Sequence, residues 1–459
     1  MDITLKNLGP ISEANFTVGD LTVICGKNNT GKTYITYALY GFLSDWNSID
    51  YWEFNDADGV DPNLITVLIH SKKAILPLDD FIEQAGFLLK ISEKHFTRKI
   101  AGLFGGHSSK TTQNVFSINV NLKDKMADFS LGRMHFNSDS PKMAVLDAEI
   151  DRENSSVILN LSNQDGIKDD DLALFVNFAI KRGAFESIVY DAFIASTERT
   201  GAVLFQREVD FTRSRLIDIL KETNINPQQL LGRFTAEYPL PVKHNIDFIR
   251  DLPNIIRRQS SFSQQHPEIL QAFADIAGGA YVANSSGRIS YIPSNQPNLN
   301  LSLAESSSTV RSLVDIGFYL HHVAEKGKLL MVDEPELNLH PENQRKIARL
   351  FAMLVNAGIR VFITTHSDYI IKEFNTLLLL NKEDERLQEI AKREGYQANE
   401  LLKPEQLNIY MTVPDPTVID RKAYTLIPAK ITAESGIELK TFDDTIEDMN
   451  RIQDEIVWG

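Results

Sequence analysis

The chain opens with alternating and then unbroken apolar positions. Ile3, Leu5 and Leu8 mark one predicted strand, and Leu21-Thr22-Val23-Ile24-Cys25 a second. The second run carries no charge, the pattern of a strand covered on both faces. A helix is expected after Thr33, with Ile35, Ala38, Leu39 and Phe42 on its apolar stripe. Residues 62–105 read as mainly helical, through Leu64, Val67 and Leu68 and then from Phe81 to Ile100. At Asn114 the period falls to two. Val115 to Leu122 begins a set of short strands that continues near 129–136, 143–150 and 156–161, predicting an antiparallel β subdomain.

The helical period returns at 169–187 and gives way to an apolar run from Ser187 to Ile194. Residues 205–276 read as helical, with breaks at Pro227, Pro239, Pro241 and Pro253 and a stop at Gly278-Gly279. Ala280–Val282 and Ile289–Ile292 predict a hairpin around Asn284-Ser285-Ser286-Gly287. Leu299–Leu303, a serine cluster and a helix from Val310 to Lys326 follow. Leu329–Val332 and Val361–Thr365 are two buried strands flanking a helix from Glu342 to Ala357 that stops at Gly358, the spacing of a right-handed βαβ unit. Residues 382–403 read as a charged helix. The remainder is mixed and ends in an acidic helix, Asp443 to Ile456. No internal repeat is visible.

Composition narrows the classes. The 459 residues allow two or three domains, or one large head with insertions, and 43% hydrophobic content fills a sizeable core. Acidic residues outnumber basic ones 62 to 47, a net charge of −15, so nucleic-acid contact would need a local basic patch. Arg250, Arg257 and Arg258 form one such helical face, for which a solvated surface is the plain alternative. The single cysteine, Cys25, has no intrachain partner; it reads as a small buried residue of a reducing, cytoplasmic protein. The N-terminus lacks a signal-peptide pattern, and its longest apolar run is far too short to span a bilayer.

The chemistry lies in two motifs far apart in the chain. Gly26-Lys27-Asn28-Asn29-Thr30-Gly31-Lys32-Thr33 follows an apolar strand and precedes a helix, the full phosphate-loop pattern. Gly26 and Gly31 let backbone N–H groups converge on phosphate oxygens, and the helix sets its positive end beneath them. Lys32 is expected to reach the β- and γ-phosphates of ATP, and the Thr33 hydroxyl to ligate Mg²⁺. The second motif is Leu329-Leu330-Met331-Val332-Asp333-Glu334-Pro335. Asp333 ends its strand at the carboxyl edge of the sheet, where ligands sit in open α/β folds, and is the expected second Mg²⁺ residue. Glu334 is the candidate general base for the attacking water. His366 follows the next strand, 32 residues after Glu334, where it could donate to the γ-phosphate. The plain alternatives stay open: a glycine turn, a carboxylate pair that caps the next segment, a satisfied polar histidine.

Phosphate loop, Asp-Glu-Pro-Glu-Leu-Asn-Leu-His-Pro and Thr-Thr-His-Ser together resemble an ABC-type ATPase head of the SMC and RecF kind. More narrowly they resemble the OLD-like ATPases of bacterial anti-phage systems, among them the PtuA ATPases of Septu and retron systems and the AriA ATPase of PARIS. The resemblance covers about residues 1–45 and 190–380; residues 50–190 match only in general layout. It implies an α/β P-loop head, a mixed sheet with helices on both faces and an antiparallel β subdomain, with helical insertions. It assigns residues 1–200 to an N-terminal lobe, with a helical insert near 50–108 and the β subdomain near 112–163. Residues 201–277 become a helical insertion in the place of a coiled coil, 278–382 a C-terminal lobe, and 383–459 a helical and mixed extension.

By the same resemblance Glu336, Leu337, Asn338, Leu339 and His340 fall at the D-loop of a dimer interface. Ser306-Ser307-Ser308, before Thr309-Val310-Arg311-Ser312-Leu313, falls at the signature that closes over the partner's ATP. The signature glycines are missing, and an ordinary helix cap is the plain alternative. Ser196-Thr197-Glu198-Arg199 resembles a family stretch after a core strand, where Glu198 and Arg199 could pair with each other or line the nucleotide site. After His366 only 93 residues remain, without the strand-Glu and strand-Asp-x-Asp pattern of a Toprim nuclease, so any nuclease is expected on a separate protein. The implied function is an ATP-hydrolysing subunit that assembles with itself, as a head-to-head dimer or larger even oligomer, and controls a separate effector nuclease or toxin. DNA or a phage trigger protein are further candidate partners; no membrane is implied. A RecF-like DNA-repair ATPase and an ATP-binding scaffold with little turnover are the alternatives.

Overall fold

The computed structural model describes residues 1–48, 62–105, 114–124, 129, 132–136, 144–162, 169–186, 188–204, 238–284, 287–419, 422–438 and 451–456. Most of the expected acidic terminal helix, residues 205–237 of the expected helical insertion and part of the strand near 129–136 lie outside them. The chain divides into two compact units. The first holds Met1–Thr4, Gly41–Ile100 and Asn114–Asp191; the second holds Leu5–Tyr40, Ala101–Gln113 and Ala192–Gly459.

The first unit contains helices α2 (Pro62–Ser71), α3 (Leu78–Lys99) and α4 (Asp169–Phe185), the helix α1 (Lys32–Ser48) spanning the division. Its strands are β4 (Lys73–Pro77), β5 (Val115–Asn119), β6 (Arg133–Phe136), β7 (Ala144–Asp151) and β8 (Ser156–Ser162). Four of them form an antiparallel sheet in the order β4-β8-β7-β6, with Ala74 opposite Leu159 and Ala148 opposite Leu159 on the other side. Helix α3 buries Phe81, Ala85, Leu88, Leu89 and Phe96, one stripe at helical spacing. Phe42 stacks on Phe116 at 4.7 Å, Phe96 meets the same ring edge-on at 4.9 Å, and Trp46 meets Phe185 at 5.0 Å. The buried Lys181 ammonium donates to the Trp46 carbonyl at 2.6 Å and lies over its ring, which satisfies a charge inside an apolar cluster.

The antiparallel sheet was expected, but its membership differs. Strand β4 sits inside the stretch read as helical, because Lys73-Ala74-Ile75-Leu76-Pro77 is too short to show a period. Strand β5 pairs with β1 (Asp2–Leu8), whose first residues belong to the same unit, and not with the four-stranded sheet.

The second unit is built on β2 (Ile11–Thr17), β3 (Leu21–Cys25), β9 (Ala192–Ala195), β13 (Leu329–Asp333), β14 (Arg360–Thr365), β15 (Leu407–Pro414) and β16 (Tyr424–Pro428). Their order is β2-β16-β15-β3-β14-β13-β9. From β15 to β9 every pairing is parallel, and β16 runs antiparallel to β15. Strands β3 and β13 are buried at every residue, as their charge-poor sequences require of strands covered on both faces. A small antiparallel sheet, β10 (Gly279–Ala283), β11 (Ile289–Pro293) and β12 (Leu301–Ser302), contains the expected hairpin. Helices α5 (Leu240–Ile255), α6 (Ser261–Gln265), α7 (Pro267–Ala277), α8 (Ser308–Ser312), α9 (Val314–His322), α10 (Pro341–Asn356), α11 (Asp368–Leu379) and α12 (Glu385–Arg393) complete it, with a short pair β17 (Lys430–Thr432) and β18 (Gly436–Glu438). One continuous core runs from Leu21 and Val23 through Ile316, Leu350, Phe351 and Phe374 to Ile409.

Five further points differ from expectation. Strand β2 was not read, although its buried Ile11, Ala14 and Phe16 signal it weakly. The helix from Val310 to Lys326 is two helices, because the Leu313 N–H turns back to the Val310 carbonyl and ends α8 in a tight turn. The charged helix of 382–403 shrinks to α12. Helix α11 was missed, though Ile370, Ile371, Phe374, Leu377 and Leu378 form a clear apolar stripe. Residues 383–459 also contribute β15 and β16 to the central sheet, β15 beside the strand that leads into the phosphate loop.

Candidate nucleotide site

Strand β3 delivers the phosphate loop and α1 begins at Lys32. Gly26 and Gly31 have φ of +148° and +95°, a region L side chains seldom enter. A Cβ on Gly26 would overlap the Thr412 hydroxyl, and one on Gly31 would press on Ile11 and Pro10. The loop is anchored on both sides. The Gly26 N–H donates to the Thr365 carbonyl of β14 at 3.2 Å. On β15, Thr412 Oγ1 lies 2.7 Å from Thr30 Oγ1, and the Thr30 hydroxyl donates to the Lys27 carbonyl at 2.8 Å. Buried Lys32 donates its ammonium to the carbonyls of Gly26 and Lys27, each at 3.0 Å. Burial lowers its pKa, opposed by the charges of Glu334, Glu336 and Asp333.

Asp333 ends β13 fully buried. Its Oδ1 accepts from the Thr364 hydroxyl, and Thr33 of the phosphate loop is near enough to favour its charged form. Burial raises its pKa to about 6, with Glu334 and Glu198 adding like-charge repulsion. Asp333 Oδ2 has no hydrogen-bond partner among the described residues. An orphaned buried carboxylate oxygen beside a threonine hydroxyl is a donor set that suits Mg²⁺, which takes one or two protein oxygens together with phosphate oxygens.

Glu334 adopts φ +49°, unusual for a side chain of its size. Its N–H donates to Thr364 Oγ1 at 3.1 Å, and its carbonyl accepts from Arg199 at 3.0 Å. His366 Nδ1 lies 3.6 Å from Glu334 Oε1 and 3.1 Å from Glu336 Oε1. The ion-pair contact with His366 lowers the Glu334 pKa, and the same interaction raises that of His366. Glu336, the nearer carboxylate, also raises the His366 pKa through its charge, while burial raises the pKa of Glu336 itself.

These contacts bring the two motifs, some three hundred residues apart in sequence, around one point. The match to a known family agrees: residues 1–371 match the AAA ATPase domain. The chain belongs to the AAA ATPase domain family. No curated relative matches the sequence. Among solved structures, this AAA ATPase is similar to an SMC head bound to the C-winged helix domain of ScpA, at 11% identity, covering 93% of this chain and 96% of that one with a TM-score of 0.36. It is also similar to the Pyrococcus furiosus Smc head with an extended coiled coil bound to the C-terminal domain of ScpA (12% identity, 99% and 98% covered, TM-score 0.35). The Thermotoga maritima SMC head domain matches at 9% identity, 94% and 98% covered, with a TM-score of 0.30. Likenesses of this order leave the ATPase fold to be read from the strand order itself, which is the expected α/β arrangement of a mixed sheet with a phosphate loop.

The other sequence-predicted residues of the ATPase fall as follows. In the loop, Lys27, Asn28 and Asn29 are exposed and Asn29 has φ +63°. Of the expected D-loop, Glu336 is turned inward, accepting from the His366 N–H at 2.7 Å and the Thr365 hydroxyl at 2.8 Å, and Leu339 is buried. Asn338 and His340 are exposed, and His340 caps α10. Ser306 donates to the Ser302 carbonyl, Ser307 caps α8 by accepting from the Val310 N–H, and Ser308 is exposed. Glu198 and Arg199 do not pair as one reading had it. Glu198 accepts from Tyr37 of α1 at 2.7 Å, whereas Arg199 is buried on backbone carbonyls. Arg250 pairs with Asp247 on α5, and Arg257 and Arg258 lie beyond the end of that helix, so the three share no helical face. Cys25 is buried, with its pKa pushed up to about 12 by burial. Among the described residues no helix is long and apolar enough to cross a membrane.

Sequence reasoning missed Thr412, and it quoted Thr364 only as part of the Thr-Thr-His-Ser motif, without a role. Each is an ordinary threonine in a β-rich stretch, and only its neighbour strand gives it a task.

Proposed function

We propose that this protein binds ATP with Mg²⁺ at the phosphate loop and hydrolyses it. The observation that carries the reading is the parallel order β3-β14-β13, which sets the phosphate loop after β3 and the Asp333–Glu334 pair after β13 at one sheet edge, with Lys32 in the field of Asp333, Glu334 and Glu336. Mg²⁺, held by the Thr33 hydroxyl and the Asp333 carboxylate, would neutralise charge on the phosphate oxygens. Lys32 turns its ammonium from the loop carbonyls to the β- and γ-phosphates. Gly26 to Gly31 supply N–H donors. Glu334, kept ionised beside His366, takes the proton of the attacking water, and His366 donates toward the γ-phosphate.

On the resemblance of its motifs, the protein is an ATPase subunit of an anti-phage complex. It pairs head to head, Ser306–Ser308 of one copy closing on the nucleotide of the other and Leu337, Asn338 and His340 at the seam. It restrains or releases a separate nuclease or toxin. The exposed Ser308, Asn338 and His340 are available for such a contact. The test has two parts. ATP turnover and sizing of Glu334→Gln should show lost hydrolysis and an ATP-dependent dimer; wild-type turnover would remove Glu334 as base. Purification of the protein with its genomic neighbours, followed by mass measurement of the intact complex, should yield a nuclease or toxin partner; a homo-oligomer alone that is stimulated by DNA would favour the repair reading.

A further inference from the structure

Arg199 is the largest fully buried side chain among the described residues, at 1% exposure, and four of its five N–H donors go to backbone carbonyls. Nε donates to Ser312 O at 2.8 Å, Nη1 to Ser196 O and Asp333 O at 2.8 Å each, and Nη2 to Glu334 O at 3.0 Å. Three segments meet there: the turn after β9, the turn after β13, and the end of α8. Burying a guanidinium is costly, and the charge is held by the carboxylates of Asp315, Asp333, Glu336 and Glu334 around it. A bridge needed only to tie loops together could be built from neutral donors at smaller cost.

The conformation at Glu334 supplies the reason for this one. Its left-handed φ is intrinsically unfavourable and persists only where neighbours over-determine it. Thr364 Oγ1 holds the N–H of that residue, and Arg199 holds its carbonyl and the one before. With both peptide planes fixed, the direction in which the Glu334 side chain leaves the backbone is fixed too. The same guanidinium grips the last turn of α8, and the Thr309 hydroxyl of α8 donates to the Asn338 carbonyl. Helix α8 is therefore tied to the 333–338 segment at two points.

We propose that Arg199 is a positioning residue for hydrolysis: it sets the station of the Glu334 carboxylate and couples that station to helix α8. The proposal rests on Glu334 being the general base. It does not require Arg199 to touch nucleotide.

The experiment uses the full chain with Mg²⁺ and ATP, comparing Arg199→Lys, Glu334→Gln and the double variant. Lysine keeps the charge but cannot reach four carbonyls in three directions. Arg199→Lys is expected to lower kcat on the order of 100-fold, as displacement of a reacting group by about 1 Å does, with KM and the affinity for a fluorescent ATP analogue nearly unchanged. In the Glu334→Gln background the lysine substitution should cost no further turnover, since the two act as one unit. Arg199→Gln, which keeps two N–H donors without the charge, carries the same comparison if the lysine variant fails to fold. Unchanged kcat in the folded variant, a loss confined to KM, or a further loss in the double variant would overturn the positioning role. Wild-type turnover of Glu334→Gln would instead remove the base assignment, and that single variant tells the two failures apart.

Discussion

Thr412→Val probes the part of the nucleotide site that the C-terminal strand supplies. Thr412 Oγ1 lies 2.7 Å from Thr30 Oγ1, with Cys25 O at 3.4 Å, and both threonines are buried. Valine fills the same outline but replaces the hydroxyl by a methyl. Carbon and oxygen do not approach closer than about 3.3 Å, so Thr30 must retreat by roughly half an ångström. Thr30 keeps its bond to the Lys27 carbonyl, so the loss is one hydrogen bond of about 1 kcal/mol plus the strain of the shift. A total of about 1–2 kcal/mol falls on the loop that must present its N–H groups to phosphate, a factor of about 5–30 in an equilibrium constant. Titration with a fluorescent ATP analogue and Mg²⁺ should show affinity reduced by that factor, and Thr412→Ser, which keeps the hydroxyl, should bind nearly as the wild type. Wild-type affinity in Thr412→Val would show that β15 does not support the loop and would refute the reasoning.

Lys32→Ala should abolish measurable nucleotide binding while leaving the melting temperature nearly unchanged, because its ammonium serves only loop carbonyls in the fold; retained binding by calorimetry would contradict its role. Asp315 gives a pH prediction: burial raises its pKa from 3.8 to about 7, so the folded chain keeps a proton that the unfolded chain has lost. Stability from this group therefore falls as pH rises from about 4 to 7 and is level above, by at most on the order of 4 kcal/mol (about three pKa units). Asp315→Asn should gain melting temperature relative to wild type at pH 8 compared with pH 5, and an equal difference at both would dismiss the assignment. His366 has its pKa raised by Glu334, so the pair stabilises below the folded pKa of His366 and loses this as pH rises through it. His366→Gln should flatten that loss above neutrality in thermal scans, and an unaltered pH profile would show that the pair is energetically silent.

The sequence alone settled the elements that carry phosphate chemistry. Glycine at Gly26 and Gly31, a charge-free strand before them and a charge-free strand before Asp333 leave few physical alternatives, since buried strands must lack charge and a phosphate cradle must lack side chains. It also disclosed the parallel β13–α10–β14 unit through its spacing. It did not disclose where Leu407–Pro414 would go, because a short strand of moderate apolarity fits any free sheet edge. Only the tertiary structure set β15 against β3 and thereby turned Thr412 toward the phosphate loop. The same holds for Arg199. Its neighbour Glu198 is the obvious ionic partner in sequence, yet the fold gives the guanidinium the local Ser196 carbonyl and three carbonyls from distant segments. Local patterns fix which residues are buried and in what period. Which buried donor meets which distant acceptor follows from packing whole elements together, and no local period encodes it.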